Sequence, residues 1–157
     1  NFKGPNQLNK FNNIKINRRD LLDEPKIENA ISEQGVRENL NEGIEYMAFW
    51  LIGLGCCVVN YLMADAATCE VSRAQLWVWL KYKAKLSDGR TIDEKLIDKL
   101  IEDELDRIKK KFSAWKERTG DKSLDHVSFE SAAKIFKDMI TKENFDDFLT
   151  LSLYEKI

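Results

Sequence analysis

Residues 53–79 read Gly53-Leu54-Gly55-Cys56-Cys57-Val58-Val59-Asn60-Tyr61-Leu62-Met63-Ala64-Asp65-Ala66-Ala67-Thr68-Cys69-Glu70-Val71-Ser72-Arg73-Ala74-Gln75-Leu76-Trp77-Val78-Trp79. The first part, from Gly53 to about Tyr61, is apolar and glycine-punctuated, and reads as a loop or short extended piece. The second part reads as a helix from Ala66 to Lys83. Its apolar face is Val71, Ala74, Leu76, Trp77 and Leu80, with Glu70, Arg73, Lys81 and Lys83 outside that face. Asp65 stands at the junction. One reading makes it the helix N-cap, where a carboxylate accepts from exposed amides. The other places it at the edge of an apolar pocket, where desolvation raises a carboxyl pKa and makes a better general base. The residues alone leave both open.

Outward from this stretch, helices dominate. Ser32 is the expected N-cap of a helix starting at Glu33, with Val36, Leu40, Ile44, Met47 and Leu51 recurring at three- and four-residue spacing. Gly35 and Gly43 weaken it by ~1 kcal/mol each relative to Ala, and Gly53 and Gly55 stop it. Downstream, Ser87-Asp88-Gly89 is a turn, and Thr91-Ile92-Asp93-Glu94 reads as a capping box. The helix it opens carries Ile92, Leu96, Leu100 or Ile101, Leu105, Ile108, Phe112 and Trp115, and ends at Gly120. Its charged run from Asp98 to Lys111 reads as a solvated face. Lys109, Lys110 and Lys111 lie toward the end, where the macrodipole favours cations. Ser128 caps a helix reaching Ile140, and a last helix is expected from about Asn144 to Tyr154. Residues 1–31 hold Gly4-Pro5 and Pro25 and read as an irregular lead-in, with a short helical turn at Asp20–Asp23. The fold class is therefore all-α: a bundle of four to five helices over residues 32–157, behind the lead-in.

Composition removes several functions. The chain has 157 residues, which suits one domain. Its 25 basic and 27 acidic residues leave a net charge of −2, without the basic surplus of a nucleic-acid-binding domain. Cys56, Cys57 and Cys69 form no CxxC pair, and His126 is the single histidine, expected on the surface, so no metal site is expected in this chain. Asp121–Ala132 has the opening spacing of a calcium loop, but His126 takes the glycine position and Ala132 the bidentate one. The uncharged run Tyr46–Ala64 approaches the ~20 residues of a membrane span. Gly53, Gly55 and Asn60 interrupt it, so a buried helix and loop are preferred and no membrane partner is expected. Trp77 and Trp79 read as core and interface. The start Asn1-Phe2-Lys3 reads like the interior of a longer protein.

The junction also resembles the C-terminal domain of malate synthase. That family's pattern is close to Gly-Asn-Gly-Cys-Val-Pro, then Leu-Met-Glu-Asp-Ala-Ala-Thr-Ala-Glu-Ile-Ser-Arg, then Gln-x-Trp-x-Trp. The matches are Gly53, Gly55, Cys56, Leu62, Met63, Asp65, Ala66, Ala67, Thr68, Glu70, Ser72, Arg73, Gln75, Trp77 and Trp79. Upstream, Gly35-Val36-Arg37-Glu38-Asn39, Gly43-Ile44-Glu45-Tyr46 and Trp50 look like the family's preceding helix, and Pro5-Asn6-Gln7 like the segment joining it to a barrel. Three positions depart: Leu54 stands for Asn, Val58 for Pro and Ala64 for Glu.

The resemblance implies the cap domain of a TIM-barrel enzyme of the glyoxylate cycle, with the barrel absent from this chain and residues 1–31 as the linker from it. The implied acyltransferase condenses acetyl-CoA with glyoxylate and hydrolyses the thioester to malate and CoA. Asp65 is then the catalytic base, and Cys56 and Met63 line the CoA channel. Mg²⁺ is the implied cofactor, bound by the missing barrel. The implied partners are the two substrates, the barrel, and isocitrate lyase through fusion or assembly. The isolated chain is expected to be inactive. Family members occur in peroxisomal, mitochondrial and cytoplasmic settings, so the compartment stays open. The alternative is a degenerate, non-catalytic interaction domain of the same fold.

Overall fold

The computed structural model describes residues 4, 6–7, 10, 13–22, 30–151 and 153–154. Its elements run in the order α1 (Arg18–Leu22), α2 (Glu33–Trp50), β1 (Cys56–Val59), β2 (Leu62–Asp65), α3 (Ala66–Lys81), α4 (Glu94–Thr119) and α5 (Phe129–Thr141). Among the described residues, five helices and one two-stranded sheet make a helical domain, as the patterning requires. Asp23, the end of the expected helical turn in the lead-in, lies outside the described residues.

Helix α2 is the hub, packed against α3, α4, α5 and the hairpin. Ser32 caps it by accepting from the Gly35 amide. Of the predicted stripe, Val36, Leu40, Ile44 and Met47 are fully buried, while Leu51, at the C-cap, is partly buried. So are Glu45 and Tyr46, because partners surround this helix on several sides. Gly43 explains itself in this packing. A Cβ there would lie 2.1 Å from Phe136 Cζ of α5, so the ring sits directly on the α2 backbone. The Cys69 thiol of α3 faces the Gly43 carbonyl at 4.0 Å. The residue that weakens the helix locally permits the closest approach in the core. Gly43→Ala is expected to destabilise the domain by about 2–3 kcal/mol, the upper range for overpacking a well-filled core. Chemical denaturation checks it; an unchanged midpoint would mean that Phe136 has room to retreat.

The start of α4 differs from the capping box expected at Thr91. Asp93 is the N-cap and accepts from the Leu96 amide at 2.8 Å. Thr91 instead pairs with Lys85 in an isolated antiparallel bridge, and the Ile92 amide bonds Ala84 O at 2.8 Å. The backbone around Thr91 is thus committed to the 85–91 turn, and the helix opens two residues later. Gly120 (φ 67°) ends α4 in the left-handed cap, donating to Lys116 O. Ser128 caps α5 as expected.

Two further corrections concern α3 and the tail. No α-helix spans 144–154 among the described residues; the segment is a chain of turns with Leu149 and Leu153 buried. The cause lies in α3. Trp77 Nε1 donates to Lys142 O at 2.8 Å, Arg73 Nη2 donates to Asp146 O at 2.9 Å, and the Leu149 amide donates to Glu70 Oε1 at 2.5 Å. Arg73 and Glu70 thus take backbone groups that a helix would have paired internally, while Trp77 holds the chain at Lys142, just before the segment. Arg73, expected on the exposed side, is fully buried for this reason. It pairs with Glu70 at 2.6 Å and lies 3.9 Å over the Phe145 ring. Val71, expected in the buried face, is 57% exposed. The charged run on α4 is likewise only partly solvated. Glu104 is buried and bonds Arg37 and Arg107, while Lys111 reaches the buried Glu45.

Candidate functional site

The loop or short extended piece expected over 53–61 contains an extended strand, which pairs with 62–65 as a hairpin. Cys56 pairs with Asp65, Cys57 with Ala64, Val58 with Met63 and Val59 with Leu62, all antiparallel. Asn60 (φ 49°) and Tyr61 (φ 66°) form the two-residue turn, both in the left-handed region that a type I′ connection requires. Asparagine tolerates that region; a bulky aromatic does not. Tyr61 is also fully solvent-exposed, so nothing in this domain repays the strain. Tyr61→Gly is expected to raise stability by about 0.5–1 kcal/mol, the left-handed penalty less the extra freedom of glycine in the unfolded chain. A lower melting temperature would contradict this.

The pleat sorts the hairpin into two faces. Cys57, Val59 and Ala64 turn inward, with Val59 and Ala64 essentially inaccessible. Cys56, Val58, Met63 and Asp65 turn outward, so the three residues singled out by sequence share one face. Cys56 stands directly opposite Asp65, and Met63 is two residues along the same strand. In a two-residue hairpin the alternation of the ladder makes Cys56 and Asp65 a non-hydrogen-bonded pair, the closer kind, with Cβ atoms roughly 4.5–5.5 Å apart. The surroundings on this face are apolar and open: Val58 is 67% and Met63 74% exposed. A contiguous exposed apolar patch marks a surface made for contact.

Asp65 closes β2 and caps α3. Its Oδ1 accepts from the Thr68 amide at 3.0 Å and from the Thr68 hydroxyl at 3.1 Å. These bonds, the amide first, hold its carboxyl below the usual carboxylate range. Within this domain the carboxylate is exposed and ionised at neutral pH, and the apolar pocket that would raise its pKa is not supplied around it by the domain's own packing. The helical-cap geometry is therefore present, and the group is free to face whatever covers the patch.

The thiols differ. Burial pushes Cys57 up to about 11, helped by the charges of Glu45 and Glu42, and burial also raises Cys69. Both are protonated, unreactive packing groups. Cys56 is exposed beside Asp65. Among the described residues no three carboxylate, thiol or imidazole groups converge as a metal would need. Likewise, no helix among the described residues is long and apolar enough to cross a membrane. His126 is exposed, as expected.

Sequence reasoning missed the groups beneath the hairpin. Tyr46, on α2, donates its hydroxyl to Gly55 O at 3.2 Å. Asn60 Nδ2 donates to Asn41 Oδ1 of α2 at 3.0 Å. Lys111 Nζ from α4 lies 2.5 and 2.6 Å from the two carboxylate oxygens of the buried Glu45. No local pattern signals these contacts, which join residues far apart in sequence.

Comparison with known proteins gives the family. Residues 30–157 match the family described as malate synthase, C-terminal. The malate synthase of Myxococcus xanthus is 41% identical over 157 residues, covering 99% of this chain and 27% of that protein. A glyoxysomal malate synthase of Candida tropicalis is 36% identical over 160 residues, with 99% and 27% covered. The bifunctional glyoxylate cycle protein of Caenorhabditis elegans is 36% identical over 154 residues, with 98% and 15% covered. The chain thus spans about a quarter, or less, of the length of these relatives.

Proposed function

We infer that this chain, which belongs to the malate synthase family as its C-terminal domain, presents Asp65 to an active site completed by the upstream part of the protein. The observation that carries the reading is the outward hairpin face, where a carboxylate stands opposite Cys56 and beside Met63 in an otherwise apolar, uncovered patch. Residues 1–31 are the linker from the upstream domain, a TIM barrel in this reading, and 32–157 form the cap. Apolar cover from that domain desolvates Asp65 and moves its pKa up from the depressed value it has here.

The chemistry then follows for acetyl-CoA and glyoxylate. The Asp65 carboxylate takes a proton from the acetyl methyl group. The enolate carbon forms a bond to the aldehyde carbon of glyoxylate, and water then cleaves the thioester to give malate and free CoA thiol. Cys56 and Met63 supply the wall along which the thioester lies. Mg²⁺, which the resemblance implies, falls to residues outside this chain. The three departures from the family pattern sort by face. Ala64 is buried under the hairpin, so the absence of a glutamate there leaves the outer face unaltered. Val58 is exposed on that face and keeps it apolar, and Leu54 is exposed in the segment before β1.

A second reading has an observation of its own: the Thr68 bonds make Asp65 a complete helix cap without any catalytic task. The test is thiol release from acetyl-CoA by the complete protein. Release that requires both glyoxylate and Mg²⁺ supports the enzyme, with the 157-residue domain alone inactive. A folded complete protein that releases no thiol leaves the cap-only interaction domain.

A further inference from the structure

The hairpin of β1 and β2 is exposed on its outer side, and a two-stranded hairpin has little stability of its own. Its pose must be set from beneath, and the structure shows how. At the entry to β1, the Tyr46 hydroxyl donates to Gly55 O at 3.2 Å. At the far end, the Asn60 side chain in the turn donates to Asn41 Oδ1 at 3.0 Å. Both anchors stand on α2, the most buried helix. Tyr46 is 1% and Asn41 9% exposed, so each bond is anchored in the core at its α2 end. Burial pushes the Tyr46 hydroxyl up to about 12, so it remains a donor throughout the working range. Between the anchors, Val59 and Ala64 fill the apolar space against the core. The segment before β1 contains Gly53 (φ 89°) and Gly55; the Gly53 and Leu54 amides donate to Trp50 O and Phe49 O at the end of α2, and the Tyr46 bond carries this tie on to the start of β1.

Asp65 is already fixed from the other direction, through Thr68 and α3. What the two α2 anchors fix is the opposing wall: Cys56 one residue from Gly55, and Val58 and Met63 two residues on either side of the turn. We propose that Tyr46, Asn41 and Asn60 are positioning residues, which clamp both ends of the hairpin to α2 and hold the wall of Cys56, Val58 and Met63 at a set distance from Asp65. The proposal rests on the reading of Asp65 as the base. It makes the clamp a determinant of orientation rather than of affinity.

Asn60 allows the hydrogen bond to be separated from the turn. Asn60→Gly keeps the left-handed backbone and loses the side-chain bond. Asn60→Asp keeps both, because the Asn41 amide can rotate to donate to the new carboxylate. Tyr46→Phe removes only the hydroxyl and leaves the buried ring in place. These variants are made in the complete protein, alongside Asp65→Asn, and followed by thiol release with acetyl-CoA and glyoxylate. Circular dichroism confirms folding of each.

Asn60→Gly and Tyr46→Phe are expected to lower kcat about tenfold, inside the 10²-fold range that an ångström of misplacement can cost. KM for acetyl-CoA should stay within about twofold, the pattern for an interaction that acts only in the transition state. Asn60→Asp should recover most of the lost kcat. If Asn60→Asp falls as far as Asn60→Gly, or if neither Asn60→Gly nor Tyr46→Phe moves kcat while Asp65→Asn abolishes turnover, the clamp is overturned and the base survives. If Asp65→Asn turns over normally, the base reading falls and the clamp with it.

Discussion

Asp65→Asn in the complete protein is expected to reduce turnover by roughly 10²–10⁴-fold, the span that a positioned general base contributes. Folding should be untouched. Asn caps a helix about as well as Asp, so its side-chain oxygen can still accept from the Thr68 amide. The change thus removes proton-accepting capacity and keeps the structural job, which separates the two readings of this residue. A cap-only Asp65 predicts near-normal turnover. The acid limb of stability offers a control. Because the Thr68 bonds depress the Asp65 pKa, its contribution is present above the unfolded aspartate value and is lost as pH falls through the lower folded value. The Asn variant should lose this pH dependence whether or not the residue is catalytic. Kinetics therefore report the base, and acid unfolding reports the cap.

The second large effect is expected beneath the hairpin. Glu45 is completely buried, and Lys111 covers both of its oxygens from α4. Lys111→Met leaves that carboxylate without its cation. Breaking a buried pair from one side costs about 3–5 kcal/mol, reduced here to about 2–4 because the lysine is 44% exposed and water reaches its end of the pair. The neighbouring Glu42 sharpens the pH signature. Burial raises its carboxyl pKa, the Glu45 charge raises it further, and Lys111 pulls it back. Without Lys111 the Glu42 pKa rises again in the folded state only. A folded pKa above the unfolded one costs stability as pH climbs between the two, so the variant's deficit should be greater near pH ~7 than near pH ~5. Adding Glu45→Met to Lys111→Met should recover most of the loss, since apolar groups of similar volume replace buried pairs at little cost. Denaturant midpoints of the single and double variants at the two pH values measure this. A double variant no better than the single would show that Glu45 matters through other partners.

Much of this protein was legible along the chain. The α2 stripe, the caps at Ser32, Ser128 and Gly120, and the helical class follow from rules that act within a few residues: side-chain period, cap chemistry and the left-handed freedom of glycine. The resemblance that singled out Asp65, Cys56 and Met63 is likewise carried by contiguous residues. Where neighbours in space decide, the chain was silent or misleading. Thr91 looked like a cap, but the backbone beside it is bonded to Ala84 and Lys85. A helix is expected over residues 144–154, yet Glu70 and Arg73 claim backbone groups there first.

The same division holds at the site. Asp65 as a cap is a local fact, available from its place before a run of helix formers. That Asp65, Cys56 and Met63 share one outward face depends on the register of a hairpin, where a shift of one residue would send them to opposite sides. That register is held by a turn at Asn60 and Tyr61 and by bonds to Asn41 and Tyr46. Arg73 shows the limit most plainly. By sequence it belongs on the wet side of α3, and it is buried because Glu70 and the tail compensate its charge where water cannot. Local periodicity determined which segments are helices and where most of them begin. Only the tertiary structure decided which charges go inside, because burying a charge depends on partners that the chain brings together from far apart.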